Sequence, residues 1–379
     1  KAPPVLESGL IGGPTKMVLG RRVLLLLSVI ALIACGKKTP VPAGEAGESN
    51  ASSSKNVNLT GAGATFPYPL YSKWMSEYNR LNPNVRINYQ SIGSGGGIRQ
   101  VVAGTVDFGA TDAPMKPEEG KNAPGKLLHI PTTIGAVVVT YNVPGVTESL
   151  KLTPEVLAGI FLGDIKKWSD EKIAEHNPGV KLSDQNIAVV YRSDGSGTTA
   201  VFTSYLAQVS PAWKEKVGEG KSAKWPVGLG AKGNEGVTGQ IKTTPGSIGY
   251  IELAYATQNK LPTAELRNKA GKFVGPSLEA VSAAAASVEM PDELFASIVD
   301  GAGDAAYPIA AYTYLLVYED AKDATKGRAL AQFLWWALHD GQKFARALDY
   351  APLPDSVVEK VEARLKTLRA GSTVLLSGV

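Results

Sequence analysis

The sequence predicts an α/β protein, and three observations lead there. Short β-rich runs alternate with amphipathic helical stretches along most of the chain. Glycine, at 41 of 379 residues, gathers where those runs turn into helices. The composition, 44% hydrophobic and 20% charged, is that of an ordinary soluble globular chain. Length allows two domains in the body that starts near Asn58. The net charge of +4 is small for this length and sits partly in the N-terminal region, so composition gives no support to a nucleic-acid partner.

The N-terminal region reads as processing information. Arg21 and Arg22 precede VLLLLSVIALIA, an apolar run that suits a signal-peptide core and is too short for a comfortable transmembrane helix. It meets Cys35, the sole cysteine, in the lipobox-like sequence Leu32-Ile33-Ala34-Cys35. This predicts thiol lipidation at Cys35 and a membrane anchor, and it leaves no cysteine for a disulfide. Residues 1–16, upstream of Met17, read as a mis-assigned start or an added extension, so 1–34 is upstream extension plus signal. Residues 35–57 hold the lipidated cysteine and a Gly/Ser/Ala/Pro-rich stretch too poor in large apolar residues to offset its ordering entropy.

In the body, VRINYQ (85–90) alternates as a strand, and LYSKWMSEYNRL (70–81) places Leu70, Trp74, Tyr78 and Leu81 at helical spacing. NIAVVY (186–191) and AAYTYLLVY (310–318) read as strands. TTAVFTSYLAQV (198–209), RALAQFLWWAL (328–338) and PDSVVEKVEARLKTL (354–368) read as helices, with Trp335 and Trp336 as core. Three segments run from a strand through a Gly/Ser/Thr turn into a helix: NLTGAGATFPYPLYSKW, YQSIGSGGGIRQVV and VVYRSDGSGTTAVF. A helix N-terminus carries unsatisfied N–H groups and part of a positive charge, glycine lets a ligand approach, and Ser or Thr adds a donor. One such turn is readily an N-cap. Three together, one carrying Arg192 and Asp194, predict a cradle for a small anion.

Competing motifs fail. GAGATF has Phe66 where a dinucleotide fingerprint needs glycine, and Gly220-Lys221-Ser222 has Glu215 where a P-loop needs it. Neither Ser94 nor Ser196 lies in a G-x-S-x-G elbow. His129, His176 and His339 lack metal-ligand spacing and read as surface or structural residues. No nucleophile with a base, and no metal cage, can be assembled from these residues. That weighs against a secreted phosphatase, the alternative from another class.

GAGATFPYPLYSKW, DFGATDAPM, GDIKKWSDEKIAEHNPGVKLSDQNIAVVYRSDGSGTT, KWPVGLGAKGNEGV, PGSIGYIELAYA and YAPLPDSVVEKV resemble, in order, the phosphate-binding proteins of Pst-type ABC transporters. The resemblance implies a two-lobed, type II-like periplasmic-binding-protein fold with hinge strands and a ligand cleft. Lobe I would take 58–131 and 308–379, and lobe II 132–307, with crossings near Pro131–Thr133 and Tyr307–Ile309. It also implies inorganic phosphate as ligand, delivery to the permease and ATPase of an importer, an extracytoplasmic location, a monomer outside that complex, no cofactor and no catalysis. Carried over residue by residue, the implied phosphate contacts are Thr65, Phe66, Ser94, Asp112, Arg192, Asp194, Ser196, Gly197 and Thr198. Gly95 stands where many members have a second serine, which leaves at most a backbone N–H there. Asp112 suits a ligand that brings a proton and argues against sulfate or molybdate. Taken alone, it also fits a helix or turn cap before Pro114.

Overall fold

The computed structural model describes residues 56–377, so the expected signal, Cys35 and the expected tether up to residue 55 lie outside the described residues, while Val57 already opens the first strand. Strands β1 (Val57–Gly63), β2 (Val85–Ser91) and β3 (Phe108–Thr111) alternate with helices α1 (Tyr68–Leu81) and α2 (Ser94–Val102). A long strand, β4 (Leu127–Asn142), follows. Then come β5 (Ala188–Arg192), α3 (Gly197–Val209), β6 (Leu229–Ala231), α4 (Gly233–Thr243), β7 (Ser247–Glu252) and α5 (Leu253–Gln258). The chain returns through β8 (Ala310–Tyr318) to α6 (Ala324–Leu338) and α7 (Asp355–Leu365). Smaller pieces lie between these elements. The α/β expectation holds.

The eight strands order as β2-β1-β3-β8-β4-β7-β5-β6. β1 pairs in parallel with β2 and β3, and β5 in parallel with β6 and β7. β4 joins these two parallel groups. Residues 127–136 pair antiparallel with β8, and 137–142 with β7, so its first part completes one half-sheet and its last part the other. The ladder slips once, where Thr313 faces Thr133 but Tyr314 faces Pro131, leaving Thr132 as the extra residue. Apart from its two end residues β4 is buried throughout, as a strand covered on both faces must be. Its sequence, LLHIPTTIGAVVVTYN, is accordingly a near-continuous apolar run broken by Pro and Thr at the bulge.

The elements read from sequence are present with shifted ends. α1 begins at Tyr68, β5 runs 188–192, and α6 starts four residues before Arg328, where Asp323 caps the Thr325 and Lys326 amides. Trp335 and Trp336 are partly buried and pack on the main core rather than inside it. His129 is buried, and its Nε2 accepts from the Met115 amide at 2.9 Å. Burial and the Lys221 charge hold its pKa down at about 4. Among the described residues no helix is long and apolar enough to cross a membrane, and no group of three or more His, Cys, Asp and Glu could hold a metal.

Candidate functional site

The three glycine-rich turns converge between the two half-sheets. β1 leads into Ala64-Thr65-Phe66, β2 leads to Ser94 at the start of α2, and β5 leads through Arg192 and Asp194 to Ser196 and α3. β3 contributes Asp112, one residue past its end. Thr65, Ser94, Asp112, Arg192, Ser196 and Thr198 are all buried, against the ordinary exposure of such polar types, and Phe66 is buried with them. Hydrogen bonds of Gly197 and Asp112 to Ser94, of Arg192 to Asp194 and Thr198, and of Asn234 to both Thr65 and Thr198 bring the sequence-predicted residues together.

Arg192 and Asp194 form a fork. Nε donates to Asp194 Oδ1 at 2.8 Å and Nη2 to Oδ2 at 2.7 Å. Nη1 lies 3.4 Å from Thr198 Oγ1, leaving one proton on each terminal nitrogen for a ligand. The Arg192 side chain is 1% exposed, so this is no surface ion pair. Burial alone would push Asp194 up, but the Arg192 hydrogen bonds and charge hold it below the usual carboxylate range. Asp194 Oδ1 also takes the Gly233 amide at 3.0 Å.

The hydroxyls are arranged as donors. A hydroxyl has one proton and two acceptor sites. Ser94 Oγ accepts from the Gly197 amide at 3.0 Å and the Asp112 amide at 3.3 Å, so its proton is left to point elsewhere. Ser196 caps α3 by accepting from Thr199 at 2.9 Å. Gly93 precedes α2 without offering a side-chain cap, and no protein acceptor takes the Phe66, Ser94 or Thr198 amides among the described residues. Gly197 must lack a side chain, because a Cβ there would sit 2.5 Å from Ser94 Oγ and 2.6 Å from Asp112 Oδ2. Its amide is spent on Ser94 rather than left open. The Gly95 amide donates to Gly195 O at 2.8 Å, so that N–H is spent on a contact between the two halves.

Asp112 is the group that stands out. Thr313 donates to Oδ1 at 2.9 Å, and Oδ2 has no hydrogen-bond partner. Burial pushes its pKa up to about 7, with the Thr313 hydrogen bond, the Arg192 charge and the nearby Thr198 and Ser94 hydroxyls opposing. The sign follows. A carboxyl that holds its proton more tightly when folded contributes stability at low pH and loses it as pH rises from about 4 to about 7. The ligand-free protein should therefore lose roughly 1 kcal/mol per pH unit across that window through this group. Asp112→Asn should flatten that part of the curve, measured by urea unfolding at pH 5 and pH 7.5. An unchanged slope would mean that Asp112 is not the titrating group.

A family model for the PBP superfamily domain matches residues 47–340. The phosphate-binding protein PstS of Pasteurella multocida is 49% identical over 82% of this chain and 90% of its own length. The chain belongs to the PstS family. Other PstS relatives come from Haemophilus influenzae, at 45% identity over 82% of this chain and 93% of the relative, and Methanocaldococcus jannaschii, at 42% over 88% and 91%. Among solved structures, a phosphate-binding protein from Stenotrophomonas maltophilia superposes with a TM-score of 0.65 at 20% identity, covering 81% of this chain and 93% of that one. That likeness supports the fold.

This PstS family member also places residues at the site that sequence reasoning missed. Three tyrosine hydroxyls hold three successive carbonyls of the first turn: Tyr89 on Ala64 at 2.7 Å, Tyr255 on Thr65 at 2.6 Å and Tyr350 on Phe66 at 2.6 Å. Burial raises the pKa of all three, so each keeps the proton it donates. Behind them lies Glu252, fully buried, which accepts from Ala254 and contacts the Tyr350 hydroxyl at 3.0 Å. Burial pushes its carboxyl well above the usual range. Asn234, also fully buried, reaches Thr65 and Thr198. Two further contacts join the halves: Lys221 to Glu119 at 2.8 Å and Ser91 to Glu235 at 3.1 Å. Each of these residues lies many positions away from the turn it serves. Only the KWPVGLGAKGNEGV and PGSIGYIELAYA matches pointed toward Asn234, Glu252 and Tyr255.

Proposed function

We propose that this chain binds inorganic phosphate in the cleft between its half-sheets and delivers it to an ABC importer as a substrate-binding protein, not an enzyme. The observation that carries the reading is the mix of groups in one buried site. Hydroxyl and amide donors and a paired guanidinium lie around a protein acceptor, Asp112 Oδ2, that lacks a partner. A protonated tetrahedral oxyanion matches that set: its bare oxygens take the donors and its P–OH gives to Asp112. Thr65, Phe66, Ser94, Arg192, Ser196 and Thr198 are assigned to the oxygens. Asp194 holds the Arg192 fork, and Gly197 provides clearance and holds Ser94. The test is isothermal titration of the purified protein with phosphate, arsenate, sulfate and phosphate esters. Tight binding of phosphate and arsenate is expected; equal binding of sulfate would overturn the reading.

Lobe I is assigned to 58–131 and 308–379, and lobe II to 132–307. The bulge at Thr132 and the change of β4 partners between Ala136 and Val137 support a hinge in this stretch. We assign the partners as the permease subunits and their ATPase, the location as extracytoplasmic, and the free protein as a monomer. The lipobox-like sequence supports a lipid anchor at Cys35. Radiolabelled fatty acid should tag the wild type and leave Cys35→Ala unlabelled. Equal labelling of both would remove the anchor.

A further inference from the structure

We propose that Asn234 is a positioning residue that aims the hydroxyl protons of Thr65 and Thr198 into the anion site. The proposal rests on the phosphate-binding reading above. Asn234 is fully buried at the start of α4, and its amide orientation is fixed by chemistry. The Glu252 backbone N–H can only donate, and it lies 3.0 Å from Oδ1, so the oxygen must face Glu252 and the Nδ2 group must face the cleft. Nδ2 lies 2.7 Å from Thr65 Oγ1 and 3.3 Å from Thr198 Oγ1, one proton for each. The Asn234 backbone N–H, an orphan donor of the first helical turn, adds a second bond to Thr65 Oγ1 at 3.1 Å. Both acceptor sites of Thr65 are then filled. Thr198 is filled in the same way, by Nδ2 and by Arg192 Nη1 at 3.4 Å.

A hydroxyl whose acceptor sites are occupied can only donate, and an oxyanion can only be met by donors on its bare oxygens. Without Asn234, each Thr proton is free to turn to other acceptors, and a lone pair faces the anion part of the time. Asn234 also takes Glu252 at the end of β7 on one side and Thr65 beyond β1 on the other, so the aiming is complete only when the two half-sheets are drawn together. The same contact thereby couples closure to donor alignment.

A double-mutant cycle read by phosphate titration tests this. Asn234→Ala should weaken phosphate binding about tenfold in the wild type. In a Thr65→Val background, where there is no Thr65 proton to aim, the same change should cost no more than about threefold. A merely structural Asn234 would cost the same factor in both backgrounds, and that result overturns the proposal. Should Asn234→Ala fold poorly, Asn234→Asp retains the shape and the Glu252 bond but turns both Thr protons toward itself. Its deficit against wild type should be larger at pH 8 and shrink as pH falls toward 5, where a protonated Asp regains a donor. A deficit independent of pH, or none, also overturns it. Failure of the wild type itself to bind phosphate would sink the functional reading instead, and the two failures are distinct.

Discussion

Asp112→Asn should let sulfate into a site that otherwise excludes it. Phosphate near neutral pH, mono- or dibasic, keeps at least one P–OH, whereas sulfate has the shape and charge of the dibasic ion and no proton. In the wild type, a sulfate oxygen would meet the lone pairs of Oδ2, which has no other partner and is shut away from water, where like charges repel strongly. At pH 8, where Asp112 is mostly ionised, removing the reader should close about tenfold of the gap between the two anions. The Asn amide can donate to sulfate, so the variant gains affinity for the wrong ligand while losing some for phosphate. Burial holds the Asp112 proton up to about pH 7, so the wild-type exclusion should itself relax in acid while the Asn variant shows no such drift. Competition titrations with both anions at pH 5.5 and 8 check both halves. If the variant discriminates as sharply as wild type, Asp112 is not reading the proton.

Arg192→Ala should weaken phosphate binding by about 2–4 kcal/mol. The loss has two sources. Two guanidinium protons left over from Asp194 and Thr198 disappear, and Asp194 loses the partner bonded at 2.8 and 2.7 Å. An unpaired carboxylate then stands beside an anion site. Lys at 192 should restore only part, since an ammonium cannot hold Asp194 with two parallel bonds and still face a ligand with the same geometry. Arg192→Ala/Asp194→Ala should recover some of the loss by removing the orphaned charge, which separates the two sources. Unchanged affinity for Arg192→Ala would take this residue out of the site.

The three turns were legible because their chemistry is local. Gly, Ser and Thr after a strand announce a helix start whose amides are free, and Arg192-x-Asp194 can pair only across two residues. The same locality made α1 and β8 readable, since Leu70, Trp74 and Tyr78 repeat at helical spacing and AAYTYLLVY (310–318) has a strand's composition. β4 was not read as an element. Its function is to change partners midway, and a run buried on both faces carries no alternation to betray it. Asn234 lies 169 residues from Thr65, and Tyr350 lies 284 from Phe66, so no spacing rule reaches them. Thr313, 201 residues from Asp112, was read as part of a strand with no hint that its hydroxyl holds the Asp112 carboxyl. The Gly95 departure proved to be steric as well as chemical. A Cβ there would lie 3.2 Å from the Gly195 Cα, so even a small side chain would press on the opposite wall.

The pairing of Arg192 with Asp194 has a consequence at long range. The Arg192 guanidinium is neutralised at its own back, and the amides and hydroxyls beside it have dipolar fields that fade faster with distance than that of a bare ion. Capture is therefore settled at contact rather than by attraction through the solvent. The mobile ions that blur surface charges beyond about 8 Å at physiological ionic strength find little here to blur. The Arg192–Asp194 pair thus holds an anion that has arrived without drawing in the other anions of the medium merely because they are negative.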